Sequence, residues 1–317
     1  MTRHLLSIGD LSPAQVRGLV DLARRQRRVR RRARPLAGRT LLSFFQMPSL
    51  RTAVSFDVAM TSLGGSAIDY ASERSPWAKG KESVEDVARV LSRYVDVVVL
   101  RMHDHDEVAR FAANAAVPVI NGLTSREHPA QVLADLLTIE DALGRLAGLR
   151  VAYLGDALNN VTHSLLLAAP RAGFDLTVAC PDDPAYAPDP GVLAAARAAR
   201  FRGVRRVRLE VTDDPLAAAR GADVVYTDSW MSYRIDPTLE ARRMHDLARY
   251  RVDAGVFAAA PDAVFMHPLP ALRGKEVTAD VIDGPRSVVF DQAENRLHMH
   301  RALLLDLLRP GPRAPRR

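Results

Sequence analysis

Two series of short apolar runs, each run separated from the next by a longer stretch with helical periodicity, constrain this 317-residue chain more than any other feature. TLLSFFQM, SAIDYA, VDVVVLRM and VPVINGL, rich in β-branched and aromatic residues, form the first series. RVAYLGD, FDLTVACP, VRRVRLEVTD, ADVVYTD, AVFMHPLP and SVVFDQ form the second. Strand-like runs alternating with helical ones are βα units, and βα units build parallel sheets covered on both faces. The expected fold is therefore α/β, with two doubly wound, Rossmann-like parallel-sheet domains and a site in the cleft between them. Length agrees, since single cores usually stop growing at about 250–300 residues. The long helical pattern HPAQVLADLLTIEDALGRLAG, ending in glycine, puts the junction near residues 140–150. We expect a first domain over 1–145 and a second over 146–293, with a last helix, about 294–317, packing back on the first.

The chain carries a formal charge of +7, which raises the question of nucleic acid. That charge is local. RRQRRVRRRAR (24–34) holds eight arginines and RPGPRAPRR (309–317) four, and without these twelve the remainder carries −5. Arginines on a helix face and in a tail, with no aromatics between them, read as solvated surface, so nucleic-acid binding is not expected. No apolar run is long enough to span a bilayer and the first residues do not read as a signal peptide, so the expected location is cytoplasmic, without membrane contact. The single cysteine, Cys180, permits no internal disulfide and no cysteine-based metal site.

Ligands of open parallel sheets sit beyond the carboxyl ends of the strands. The polar clusters of this chain fall there: Pro48–Thr52, Arg101, Thr124–Gln131, Asp156–Asn160, Asp228–Tyr233 and His267–Pro270. In FFQMPSLRTAVSFDVAM the apolar run breaks at Pro48-Ser49 and resumes with helical spacing, so Ser49 reads as a helix N-cap. Unpartnered N–H groups, two hydroxyls and the Arg51 guanidinium at a helix start suit an anion such as phosphate.

SLRT, LRMH, HPAQ, NN, DSWMS, HPLP and DQAENRLH occur in the order and with about the spacing of the ornithine and aspartate carbamoyltransferases, which the chain resembles over nearly its whole length. NGLTSREHPAQVLADLLTI and GKEVTADVIDGPRSVVFDQAENRLH are ornithine-type features. The resemblance implies a trimer of two-domain subunits that moves the carbamoyl group of carbamoyl phosphate to an amine, giving a ureido product of the citrulline type and phosphate, as in amino-acid biosynthesis. It implies no metal and no organic cofactor. By the same resemblance Ser49, Leu50, Arg51 and Thr52 cradle the phosphate, with Leu50 in place of the usual threonine acting through its backbone N–H. Arg101 and His128 contact the carbonyl oxygen. Gln131 and the carbonyl of Leu269, in the Pro268-Leu269-Pro270 segment, hold the carbamoyl NH₂, and Arg296 is a further contact to carbamoyl phosphate. Arg51, Arg101 and His128 are the catalytic set. Asn160, Asp228 and Ser232, with Tyr233 beside them, match the positions that hold the amino-acid end of the acceptor.

Several positions depart from the ornithine-type pattern. Pro268 stands where those enzymes carry cysteine, and Tyr233-Arg234 where they carry Met-Gly. Trp77, flanked by Lys79 and Lys81, stands where many place a glutamine reaching into the neighbouring subunit. The acceptor implied is ornithine or a related diamino acid, a shorter 2,3-diamino acid of specialised metabolism being the alternative. Two readings from other classes are a nicotinamide oxidoreductase and a basic nucleic-acid-binding protein that has lost catalysis. Against the first, the turn after VAYL, Gly155 to Asn160, lacks the second and third glycines of a dinucleotide turn. Against the second, Arg51, Arg101, His128 and Gln131 are all kept.

Overall fold

The computed structural model describes residues 3–27, 34–71, 75–232 and 235–308. The first domain contains α1 (Pro13–Gln26), β1 (Thr40–Phe45), α2 (Leu50–Ser62), β2 (Ser66–Ala71), α3 (Val84–Leu91), β3 (Val97–Arg101), α4 (His105–Asn114), β4 (Val119–Leu123) and α5 (Pro129–Leu143). The second contains β5 (Arg150–Leu154), α6 (Asn160–Ala172), β6 (Asp175–Ala179), α7 (Pro190–Ala198), β7 (Leu209–Thr212), α8 (Pro215–Ala219), β8 (Val224–Tyr226), α9 (Glu240–Leu247), α10 (Ala254–Ala259), β9 (Val264–Met266) and α11 (Ala279–Ile282). The helix α12 (Val289–Leu307) follows.

Every pairing between these strands is parallel, in the orders β2-β1-β3-β4 and β7-β6-β5-β8-β9. The strand order reverses between β1 and β3 in one sheet and between β5 and β8 in the other. Such switch points open a crevice at the carboxyl ends of the flanking strands. The α/β fold expected from the alternating pattern is thus present twice. Leu5 lies parallel to Ile120 and extends the free edge of β4, accepting from Asn121 N–H at 2.8 Å.

SVVFDQ, expected as a strand, is different. Ser287 makes only an isolated bridge to Phe265, and from Val289 the chain is helical, so the last helix starts five residues before the expected Glu294. Alternation cannot separate a four-residue apolar run from the first turn of a buried helix. That helix lies against α1, α5 and α2 of the first domain. One continuous apolar core runs from Leu41 and Phe56 through Leu133 and Leu136 to Leu165 and Val178, with Met299 and Leu303 contributed by α12. Helix α5 is buried on all sides from Pro129 to Ile139, as a helix between two domains must be.

Part of the arginine-rich segment has a structural use, which it shares with Arg17 earlier on α1. Arg17 and Arg24 both bond Glu140 of α5, at 2.5 and 2.6 Å, and Arg27 bonds Asp141 and Asn295. These side chains clamp α1 to α5 and α12, where sequence suggested plain solvated surface. Residues 28–33 and 309–317, which carry most of the rest of that charge, lie outside the described residues. No helix among the described residues is long and apolar enough to cross a membrane.

Candidate active site

A cavity of about 310 Å³ opens where the two switch points face each other. It is lined from the first domain by Ser49, Arg51, Arg101, His128 and Gln131, and from beyond that domain by Asn160, Asp228, Ser232, Pro268, Leu269 and Arg296. Residues separated by up to 247 positions are thereby brought to one wall.

Local sequence explains how each is presented. Ser49 is the N-cap of α2 and accepts from Thr52 N–H at 3.3 Å, which aims Arg51, in the first helical turn, at the cavity. Arg101 ends β3 with 5% exposure. His128 precedes Pro129 at the start of α5, its backbone N–H donating to Ser164 Oγ at 2.9 Å, and Gln131 follows on the same face. The tight turn after β5 needs Gly155, whose φ of 127° brings its α-carbon against Trp230; a β-carbon there would lie 3.1 Å from the indole nitrogen. Asn159 caps α6 by accepting from Val161 and Thr162 N–H, and donates its Nδ2 to Asp228 Oδ2 at 3.0 Å. Asn160 donates across the cleft to the Thr124 carbonyl at 2.8 Å. Leu269, at φ 57° and followed by a cis peptide bond to Pro270, is held by its N–H donating to His267 Nδ1 at 2.9 Å.

Some expected residues are placed otherwise. The Leu50 side chain is 77% exposed and points away, so only its backbone could serve. Thr52 is fully buried and off the cavity wall; its Oγ1 accepts from Ser49 Oγ at 2.9 Å and Arg296 Nη2 at 2.6 Å, making it a support for Arg296. Trp77 is 8% exposed, stacked between Phe44 and Phe111 in the apolar layer on the outer face of the first sheet. Trp77, which stands where a glutamine would reach into the neighbouring subunit, packs within its own domain here, and Lys79 and Lys81 just after it are exposed. Tyr233 and Arg234 lie outside the described residues. Sequence reading missed Asn159, whose only signal was its place in the NN pair.

The electrostatics call for an anion. Burial, then Arg101, then Arg51, push the Arg296 guanidinium down to about 9. Burial, followed by Arg296, Arg101 and His300, holds the His128 imidazole well below its ordinary range, hence neutral. His128 Nδ1, Gln131 Oε1 and Ser232 Oγ are buried with no hydrogen-bond partner, so the wall offers unused donors and acceptors beside a desolvated cluster of cations.

Residues 3–141 match the family model described as the carbamoyl-P binding domain of aspartate/ornithine carbamoyltransferase, and residues 147–307 match its Asp/Orn binding domain. The chain belongs to the aspartate/ornithine carbamoyltransferase family. Its relatives include an ornithine carbamoyltransferase of Acidothermus cellulolyticus, 48% identical with 97% of each chain covered. Among solved structures it is similar to the ornithine carbamoyltransferase of Pyrococcus furiosus, at 43% identity and TM-score 0.89 with 96% of each chain covered. It is also similar to that of Thermus thermophilus, at 41% identity and TM-score 0.86, covering 98% of this chain and 100% of that one. Arg51, Arg101 and Arg296 line the same cavity as Asp228, Asn160 and Ser232.

Proposed function

We propose that this carbamoyltransferase transfers the carbamoyl group of carbamoyl phosphate to the side-chain amine of ornithine, giving citrulline and phosphate. The observation that carries it is the convergence of Arg51, Arg101 and Arg296 on one cavity whose far side holds Asp228, Asn160 and Ser232. The phosphate is held by Arg51, Arg296, Ser49 and the first backbone N–H groups of α2, including that of Leu50. Arg101 and neutral His128 donate to the carbonyl oxygen. Gln131 Oε1 and the Leu269 carbonyl accept from the carbamoyl NH₂, with Pro268 walling the amine side. Asp228 accepts from the α-ammonium, while the second hydrogen of Asn160 Nδ2 and the Ser232 hydroxyl are free for the α-carboxylate. The unprotonated amine attacks the carbamoyl carbon, charge gathers on the carbonyl oxygen, and the C–O bond to phosphate breaks with its electron pair leaving on phosphate.

Ornithine is favoured over a shorter diamino acid by the names carried by relatives of this identity and coverage. The test is an acceptor series with carbamoyl phosphate, scored as ureido product. The highest kcat/KM is expected for ornithine, and a larger value for a 2,3-diamino acid would reassign the acceptor. Replacing Arg51 by alanine should weaken carbamoyl phosphate binding by about 1.5–3 kcal/mol, the range for a hydrogen bond to a charged group. Calorimetry without acceptor measures this directly, and unchanged affinity would remove Arg51 from the phosphate site.

The same proposal includes a cytoplasmic homotrimer. Exposed apolar residues support association: Leu50, Val54 and Val58 recur every four residues on the outer face of α2, and Ile68 and Tyr70 are exposed on the edge strand β2. A Val54→Asp variant should therefore elute at a smaller mass by light scattering than the parent. Equal masses for the two would exclude this face from the contact.

A further inference from the structure

Asp135 is fully buried and does not line the cavity, yet it touches three elements that build it. It lies one helical turn beyond Gln131 on α5. Its Oδ1 accepts from Gln131 Nε2 and from Gln292 Nε2, each at 2.8 Å, and its Oδ2 accepts from the Tyr226 hydroxyl at 2.9 Å. Gln292, on α12, turns its Oε1 to the backbone N–H of His267 at 2.9 Å. His267 in turn receives the Leu269 N–H. The chain of bonds thus runs from α5 through α12 to the loop that carries the Leu269 carbonyl.

A primary amide has a donor end and an acceptor end, and whichever end a neighbour binds fixes what the other end presents. An ionised carboxylate can only accept. Gln131 and Gln292 must therefore both give it their NH₂ groups, which leaves Gln131 Oε1, buried and without a protein partner, as an acceptor. Burial pushes the Asp135 carboxyl up to about 6, against the hydrogen bonds from Gln131, Gln292 and Tyr226. Three donors face its two oxygens, the arrangement that an ionised carboxylate satisfies.

We propose that Asp135 is a positioning residue that sets the polarity of the carbamoyl-nitrogen subsite. By accepting from Gln131 and Gln292 it makes Gln131 Oε1 an acceptor for the substrate NH₂ and anchors the loop that offers the Leu269 carbonyl. The inference rests on the roles of Gln131 and Leu269 proposed above. It adds that selectivity for NH₂ over an isosteric methyl group originates in a residue that never touches the substrate.

The test compares carbamoyl phosphate with acetyl phosphate, which has a methyl group in place of the NH₂, as ligands of the full chain by calorimetry. In Asp135→Asn the new amide can donate as well as accept, so Gln131 is free to reverse and present NH₂ to NH₂. Carbamoyl phosphate affinity should then fall about tenfold, the loss of one hydrogen bond, with acetyl phosphate affinity unchanged. A general loosening of the site would weaken both ligands alike, and an unchanged ratio between them overturns the proposal. A parent protein that makes citrulline but shows no preference for carbamoyl over acetyl phosphate overturns it as well. If the parent makes no ureido product, it is the proposed function that fails. Gln292→Met probes the chain from its other end and stands in should Asp135→Asn not fold. It should lower the affinity ratio by releasing His267, and an unchanged ratio there counts against the relay to Leu269.

Discussion

Replacing Arg101 by alanine is expected to lower kcat by about 10²–10³, the effect typical of removing one donor from a developing oxyanion. Arg101 ends β3 on the cavity wall with 5% exposure, and Arg51 and Arg296 approach the same space from α2 and α12. In the proposed arrangement those two still hold the phosphate in the variant, so the affinity for carbamoyl phosphate should fall much less than kcat. That split distinguishes a group acting on the carbonyl oxygen from one acting on the ground-state phosphate. Neutral His128 cannot substitute for the missing charge, since burial and the neighbouring guanidiniums hold its imidazole unprotonated. Lysine should restore little, because a single ammonium cannot reproduce the planar donor set of a guanidinium. Steady-state kinetics at saturating ornithine measures the effect, and a loss of kcat below tenfold would take Arg101 out of this role.

The largest effect on stability is expected at Arg243. This guanidinium, on α9, is 5% exposed, meets Asp156 Oδ2 at 2.5 Å, donates its Nε to the Trp230 carbonyl at 2.8 Å and lies 4.9 Å over the Tyr186 ring. Its partner carboxylate is 2% exposed and stands two residues after the end of β5. Arg243→Met removes one charge of the pair and leaves the other buried without compensation, which typically costs about 3–5 kcal/mol. Urea denaturation should report that loss. The double variant with Asp156→Asn should lose less than the two single variants together, because the second substitution removes the stranded charge. A loss under about 1 kcal/mol for Arg243→Met would mean that water reaches the pair. Because Arg243 holds the carbonyl of Trp230, between Asp228 and Ser232, the folded variant should also show a raised KM for ornithine with little change for carbamoyl phosphate.

What could be read in the sequence was what is local. The runs of VVVL and VAYL imply buried parallel strands because every position is apolar, and Ser49 implies a helix start because its hydroxyl caps its own neighbours. The cavity residues were legible because strand ends are where a parallel sheet exposes backbone and places polar side chains, and because six of the seven ordered motifs fell there, the seventh, DQAENRLH, lying in α12. Illegible were the pairings made across long separations. Nothing near Thr52 foretells that its hydroxyl is taken by Arg296, 244 residues later. Nothing near Asp135 marks it as the acceptor for Gln292 and Tyr226 rather than a solvated helix charge. The burial of Trp77 was illegible for the same reason, since its partners, Phe44 and Phe111, come from β1 and α4. Arg24 and Arg27 were read as surface because their acids, Glu140 and Asp141, lie on another helix.

The return of α12 to the first domain bears on how the protein is made. Synthesis proceeds from the N-terminus, and domains generally fold as units when their residues have emerged. The first sheet and its helices are complete by Leu143, yet the apolar faces of α1, α2 and α5 are covered by α12, which is the last described element to leave the ribosome. Until then Phe56 lacks His300, stacked on it at 3.6 Å, and the core lacks Met299, Ala302, Leu303 and Leu304. The second domain depends on α12 far less, taking from it only Val289 in its core and Gln292 beside His267, since its strands and other helices emerge before Val289. The half of the chain made first is thus the half that finishes last, and a nascent chain stalled before residue 289 would present an uncovered apolar surface to the cell's chaperones.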